Sequence, residues 1–176
     1  ITETFKSLQG EGPFIGIPMF FVRTNRCNLR CAWCDSTYTF YGGHEVSVDD
    51  LLEQVNTSGA DWVCFTGGEP LLQREAVDFV RKLSESGTKV LIETSGSLPI
   101  KEYTAIKNTF IDMDIKTPSS KEESSLYQDN LYVLRKQDYV KFVISDEVDY
   151  DYAKRIIPGL PRSLQIVMQP ALGEEP

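Results

Sequence analysis

The sequence predicts an α/β fold, a partial, open (β/α)6-type barrel with parallel strands. Three observations lead there. Six short runs rich in β-branched and aromatic residues punctuate a chain of 176 residues, stretches of helical periodicity separate them, and polar residues with site chemistry gather where the runs end. Repetition of β then α implies parallel pairing through right-handed crossovers. Six units are too few for a closed eight-stranded barrel, and sites in such sheets gather at the carboxyl ends of the strands. A chain of this length fits one domain, taken as residues 1–176.

The runs that predict strands are Pro18–Thr24, Trp62–Thr66, Lys89–Thr94, Phe110–Ile115, Val140–Ser145 and Leu164–Met168. Most are continuous and apolar, as parallel strands covered by helices require. Ser47 with Asp50 makes a box-like start for a helix over Val48–Val55. Gln73–Ser86 puts Ala76, Phe79, Val80 and Leu83 on one face and ends at Gly87. Pro99 suits the first turn of a helix over Ile100–Lys107. Fainter periodicity covers Glu122–Lys136 and Asp149–Ile157, and the polar stretch Ser119–Asp129 reads as a loop or an irregular helix start.

Composition narrows the function. Lysine plus arginine number 18 against 26 aspartate plus glutamate, a net charge of -8. That excludes a broad nucleic-acid or anionic-membrane surface but leaves room for a small anionic substrate in a locally basic pocket. No apolar run approaches the ~18 residues of a membrane span, and no signal peptide opens the chain, so a cytoplasmic protein is expected. The chain starts at Ile1 rather than Met, and a few residues are expected to precede it.

Four cysteines are present, three of them at Cys27, Cys31 and Cys34 just after the first predicted strand. Without a secretory signal such a cluster reads as a metal or cluster site. Thiolates are soft ligands suited to iron–sulfur clusters and zinc. A closed structural zinc site needs four protein ligands, and the loop offers three. A [4Fe–4S] cube on three cysteines keeps one iron open, free to bind the amino and carboxylate groups of S-adenosylmethionine (SAM). The competing reading is zinc with Cys64 as fourth ligand, although a small buried thiol is what an apolar strand such as Trp62–Thr66 ordinarily holds. A single histidine, His44, excludes a site built mainly from histidines.

The spacing Cys27-x-x-x-Cys31-x-x-Cys34, with Trp33 before the last cysteine, resembles the radical SAM superfamily. Thr66-Gly67-Gly68-Glu69-Pro70 looks like its GGEP motif, whose glutamate end holds the methionine ammonium. Glu93-Thr94-Ser95-Gly96 and Asp114-Ile115-Lys116 end the next two strands, where a cofactor would lie. Around the cysteines, Gln9-Gly10-Glu11-Gly12, Phe21-Val22-Arg23 and Cys34-Asp35-Ser36 resemble the 7-carboxy-7-deazaguanine synthase family of 7-deazapurine (queuosine and archaeosine) biosynthesis, over a match that runs to about Gln169-Pro170. That resemblance implies conversion of 6-carboxy-5,6,7,8-tetrahydropterin to 7-carboxy-7-deazaguanine with loss of ammonia, a carbon–nitrogen lyase reaction started by a 5′-deoxyadenosyl radical.

The resemblance also implies roles. Gln9, Gly10, Glu11, Arg23 and Thr94 match substrate-contacting positions, and a guanidinium at Arg23 suits a carboxylate. Trp33, Asp35, Gly96, Asp114, Lys116 and Gln169 match positions around SAM. Ser36 matches the hydroxyl that binds Mg²⁺, an ion held by few protein oxygens plus substrate and water. Arg26 stands where the family often has glycine, and Ser36 where threonine is common. The family usually continues past the QP segment, so a longer carboxyl-terminal tail is expected. Implied partners are the pterin, an electron donor such as flavodoxin or ferredoxin, and a second copy in a homodimer. A glycyl-radical-enzyme activase is the alternative within the superfamily. A non-catalytic iron–sulfur or zinc protein is the alternative outside it.

Overall fold

The computed structural model describes residues 1–171. Its strands are β1 (Glu3–Leu8), β2 (Pro18–Thr24), β3 (Trp62–Gly67), β4 (Lys89–Thr94), β5 (Thr109–Asp114), β6 (Tyr139–Ile144) and β7 (Gln165–Pro170). The helices are α1 (Val48–Ser58), α2 (Ala76–Glu85), α3 (Lys101–Thr104) and α4 (Glu147–Ile156). All seven strands form one sheet in sequence order. β2 to β7 are parallel, and β1 runs antiparallel along β2.

The six predicted strands are present, two of them with the predicted bounds. β1 was not foreseen. Glu3–Leu8 carries no apolar run, because an edge strand covers only one neighbour. Its Phe5 stacks on Phe21 with ring centroids 4.9 Å apart. α1 starts as expected: Ser47 Oγ accepts from the Asp50 amide (3.1 Å), and its hydroxyl donates to the Asp50 carboxylate (2.7 Å). The helix expected over Ile100–Lys107 is a single turn. The helix expected over Glu122–Lys136 is absent, replaced by 3-10 turns at Pro118–Ser120 and Gln128–Tyr132. Side chains there take over backbone partners. Asn130 donates to the carbonyls of Gly96 and Leu98 and accepts from the Ile100 amide. Arg135 donates to Asp138 and to the carbonyls of Thr104 and Thr109. The expected tail beyond Ala171 lies outside the described residues.

The central strands, β2 to β6, are buried on both faces. Helices cover the outer one, where Val22, Phe65, Phe79, Leu83, Ile92, Ile111 and Phe142 pack together. The inner face carries Met19, Phe21, Cys64, Leu91 and Tyr139, with Phe14, Trp62 and Phe110 against them. Because side chains alternate along a strand, the positions two residues further on share this inner face. They are Arg23, Thr66, Glu93, Asp112 and Lys141. The inner face is therefore apolar at its base and polar at the carboxyl ends of the strands.

The sheet must also curl. Six inter-strand gaps of about 4.8 Å would hold β1 and β7 about 29 Å apart in a flat sheet. Yet Glu11, three residues past β1, reaches Lys141 on β6 at 2.8 Å and Gln169 on β7 at 2.9 Å. Three residues of chain extend only about 10 Å. The loop after β1 thus crosses the open side of a partial barrel.

Candidate active site

A cavity of about 440 Å³ opens at the carboxyl ends of the strands. Cys27, Cys31 and Cys34 all line it, together with Gln9, Gly10, Glu11, Arg23, Trp33, Asp35, Ser36, Thr94, Asp114, Lys116 and Gln169. Residues from the two ends of the chain thus meet around one space.

The cysteine loop is held by backbone on both sides. The Arg26 amide donates to the Thr39 carbonyl (2.7 Å), and the Arg26 carbonyl accepts from the Glu69 amide (2.8 Å). Arg26 has φ 68°, a left-handed conformation that costs a side-chain-bearing residue about 1 kcal/mol and explains why glycine suits this position. Gly68 packs on the same peptide. A Cβ there would lie 2.1 Å from the Arg26 carbonyl oxygen and 3.0 Å from Cys27 Cβ. The far end of the loop is pinned by the Ala32 amide to the Ser120 carbonyl (2.9 Å) and by the Trp33 indole N–H to Ser119 Oγ (2.8 Å).

Three thiols line one cavity, the donor set a [4Fe–4S] cluster with one open iron would take. Among the described residues no three His, Cys, Asp or Glu side chains converge on one metal position. A [4Fe–4S] cluster takes one thiolate per iron and so needs them spread around a cavity. The fourth cysteine does not complete a zinc set: Cys64 is fully buried beneath the floor, against Gln9 Nε2 at 3.8 Å. Burial raises the Cys27 thiol and pushes Cys31 up to about 11. Iron would displace those protons on binding.

The Glu69 side chain is committed to the fold. It is completely buried, and its carboxylate accepts from Thr94 Oγ1 (2.8 Å), Ser95 Oγ (2.6 Å) and the amides of Ser95 (3.0 Å) and Leu71 (3.2 Å). Its side chain fastens the end of β4 to the end of β3. Thr94 reaches the cavity wall with its hydroxyl already donated to Glu69. Gly96 lies behind that wall, where its carbonyl accepts from the Tyr127 amide and the Asn130 side chain.

The floor is a charge network that the sequence reading largely passed over. Lys141, 8% exposed, bridges Glu11 (2.8 Å) and Asp112 (3.3 Å). Glu93 accepts from Gln9 Nε2 (2.9 Å) and Thr66 Oγ1 (2.7 Å). Asp114 pairs with Lys116 at 2.9 Å. Burial raises the Asp112 carboxyl to about 7 against the pull of Lys141, helped by the charges of Glu93 and Asp114. Burial opposes the Lys141 charge, but Asp112, Asp114, Glu93 and Glu11 outweigh it and hold the lysine protonated. Asp112 Oδ1 and Asp114 Oδ1 are buried with no hydrogen-bond donor among the described residues, and Asp112 Oδ2 faces the Lys141 ammonium at 3.3 Å. Asp112 and Lys141 were findable: each is a charge at an inward position of an otherwise apolar strand.

At the rim, Arg23 Nε is fixed to Glu3 on β1 at 2.8 Å, and the hydrogen bonds of the described residues use no other nitrogen of its guanidinium. Ser36 donates to Asp35 (2.7 Å). The Lys116 ammonium lies 5.2 Å from the Trp33 ring centroid, a cation–π arrangement.

Residues 21–156 match the Radical SAM superfamily. A 7-carboxy-7-deazaguanine synthase from Thermoplasma acidophilum is 50% identical over 99% of this chain and 84% of its own length. One from Koribacter versatilis is 49% identical over 88% of this chain and 68% of its own. Among solved structures, QueE from Escherichia coli superposes with a TM-score of 0.81 at 25% identity, covering 97% of this chain and 83% of that one. Streptococcus suis SuiB, at 17% identity and a TM-score of 0.60, covers 88% of this chain and 39% of its own and shares the fold.

Proposed function

The chain belongs to the radical SAM superfamily and, within it, to the 7-carboxy-7-deazaguanine synthases, and on that premise we propose how its cavity handles 6-carboxy-5,6,7,8-tetrahydropterin. The reaction is rearrangement to 7-carboxy-7-deazaguanine with loss of ammonia, which makes the protein a carbon–nitrogen lyase. A [4Fe–4S] cluster on Cys27, Cys31 and Cys34, together with SAM, supplies the one-electron chemistry when bound. The residues of this chain bind, orient and neutralise.

One observation carries the substrate reading: a free guanidinium fork and orphaned carboxylate oxygens face the same cavity as the three thiols. Glu3 holds Arg23 so that its terminal nitrogens can grip the substrate carboxylate in a fork. Asp112 Oδ1 and Asp114 Oδ1 accept no hydrogen bond from the described residues, and the amino-pyrimidine edge of a pterin is rich in N–H. Gln9 sets Glu93 and, through its carbonyl, the Glu11 amide at 3.1 Å; Gly10 lets this backbone lie along the cavity. Glu11 and Gln169 close the far side. Trp33, Asp35, Asp114 and Lys116 form the wall for SAM, with Gly96 shaping the turn behind it. Ser36 and Asp35 offer the oxygens for Mg²⁺, which the substrate carboxylate would share. A buried polar floor suits a small molecule rather than the protein loop on which an activase acts.

We propose further that a flavodoxin or ferredoxin supplies the electron, that two copies associate, and that the protein works in the cytoplasm. Free cysteines agree with a reducing compartment, and exposed Leu8 and Ile15 offer apolar surface for a partner copy. No helix of the described residues is long and apolar enough to cross a membrane.

The direct test is anaerobic. Reconstituted protein with SAM, Mg²⁺, a low-potential reductant and the carboxytetrahydropterin should release 7-carboxy-7-deazaguanine and ammonia in equal amounts. Formation of 5′-deoxyadenosine without that product would reject the substrate assignment. Arg23→Ala should raise KM for the pterin about 10- to 100-fold, the loss of a charged hydrogen-bonding partner, with iron content unchanged. Loss of iron in that variant would make Arg23 structural instead.

A further inference from the structure

A buried carboxylate outside the cavity is wired to the cysteine loop. Asp149 sits in the first turn of α4 and is fully buried. It accepts from the Ser119 amide (2.9 Å), the Ser145 amide (2.9 Å) and the Ser119 hydroxyl. Its own amide is capped by Asp146 at 2.9 Å. With its proton donated to Asp149, Ser119 Oγ has its lone pairs free, and the Trp33 indole N–H donates to it at 2.8 Å. The order Trp33, Ser119, Asp149 is thus directional: an acceptor-only carboxylate orients the hydroxyl, and the hydroxyl orients the indole. Trp33 stands between Cys31 and Cys34, its ring edge held by this chain and its face by Lys116. The neighbouring Ala32 amide is tied to the same turn through Ser120.

We propose that Asp149 is a positioning residue which, through Ser119, fixes the Trp33 ring as part of the SAM-binding wall. It does so without touching any bound group. The inference rests on the cavity being the SAM site. A carboxylate that only stabilised α4 would need the two backbone amides and Asp146; the hydroxyl relay to a cavity-lining indole is surplus to that task.

The test uses the fact that the chain has two tryptophans. In a Trp62→Phe background Trp33 is the sole emitter, and its mobility is read in cluster-free protein by acrylamide quenching. Ser119→Ala should raise the quenching constant at least twofold, Ser119→Thr should restore it, and Asp149→Asn should behave as Ser119→Ala. In the reconstituted enzyme with native Trp62, Ser119→Ala should raise KM for SAM about tenfold, with kcat within twofold and iron content unchanged. Unchanged quenching in Ser119→Ala overturns the relay. Increased quenching with unchanged KM for SAM overturns its positioning role. Because Ser119→Ala leaves both amide bonds to Asp149, it reports even where Asp149→Asn fails to fold. SAM cleavage without pterin turnover would reject the substrate assignment and leave this test intact.

Discussion

Lys141→Met is expected to destabilise the fold by about 3–5 kcal/mol at pH 8, the cost of leaving buried charge without its partner. It should also abolish measurable turnover. Lys141 is a cation placed between Glu11 and Asp112, and Glu93 and Asp114 also raise its pKa. Methionine keeps the stem and removes the charge, so the carboxylates can settle only by taking up protons or opening the floor. The Asp112 carboxyl is already raised to about 7 from an ordinary value of 3.8. A raised carboxyl favours folding below its ordinary value, and that contribution fades as pH climbs through the folded value. Without Lys141 the folded value rises further, so the deficit against the native protein should shrink at pH 5 and grow toward pH 8. Urea unfolding of both proteins across that range measures it. A deficit that is small and flat with pH would mean the floor is solvated and the ion network has little weight.

Gly68→Ala should cost the protein its cluster. The added methyl meets the Arg26 carbonyl at 2.1 Å, which is backbone and cannot swing away. Relief requires the peptide before Cys27 to move, and the Glu69 amide to Arg26 carbonyl bond (2.8 Å) breaks with it. Iron per chain after reconstitution should fall below about half, with stability lowered by about 2–3 kcal/mol. Gly96→Ala is the contrast. There the methyl meets the Met113 side chain at 2.7 Å, a flexible thioether that can repack, and φ of 69° adds about 1 kcal/mol of strain. Iron loading should survive in that variant. Equal iron loss in both would point to general unfolding rather than to the cysteine loop.

Much of this architecture was legible because parallel strands buried on both faces write themselves as apolar runs. β2 and β4 read to the residue for that reason. β1 did not, since an edge strand with only Phe5 packed inward leaves almost no pattern. The helix expected at Glu122–Lys136 failed because Asn130 and Arg135 satisfy distant backbone groups, a tertiary demand that local periodicity does not register. At the site, the cysteines and the flanking segments were found through spacing and resemblance. Lys141 and Asp112 were overlooked although each interrupts an apolar strand with a charge, and Glu93 was placed at a strand end by its motif without a role in the floor. The GGEP-like segment located Glu69 but could not say that its side chain turns into the fold, because a motif names a residue without saying which way it faces.

The crossing of the open side by the loop after β1 has a consequence for how the protein is made. Glu11 is bonded to Lys141 and Gln169 across sequence separations of 130 and 158 residues. Loop-closure entropy for such contacts is met only after the intervening strands are docked, and topologies dominated by distant contacts fold slowly. During synthesis the amino-terminal third, with the cysteines, is complete well before β7 exists. Lys141 joins the floor only with β6, and Gln169 closes on Glu11 last, when the final strand arrives. A chain arrested before β7 therefore holds all three thiolate ligands but not the chamber that would confine radical chemistry.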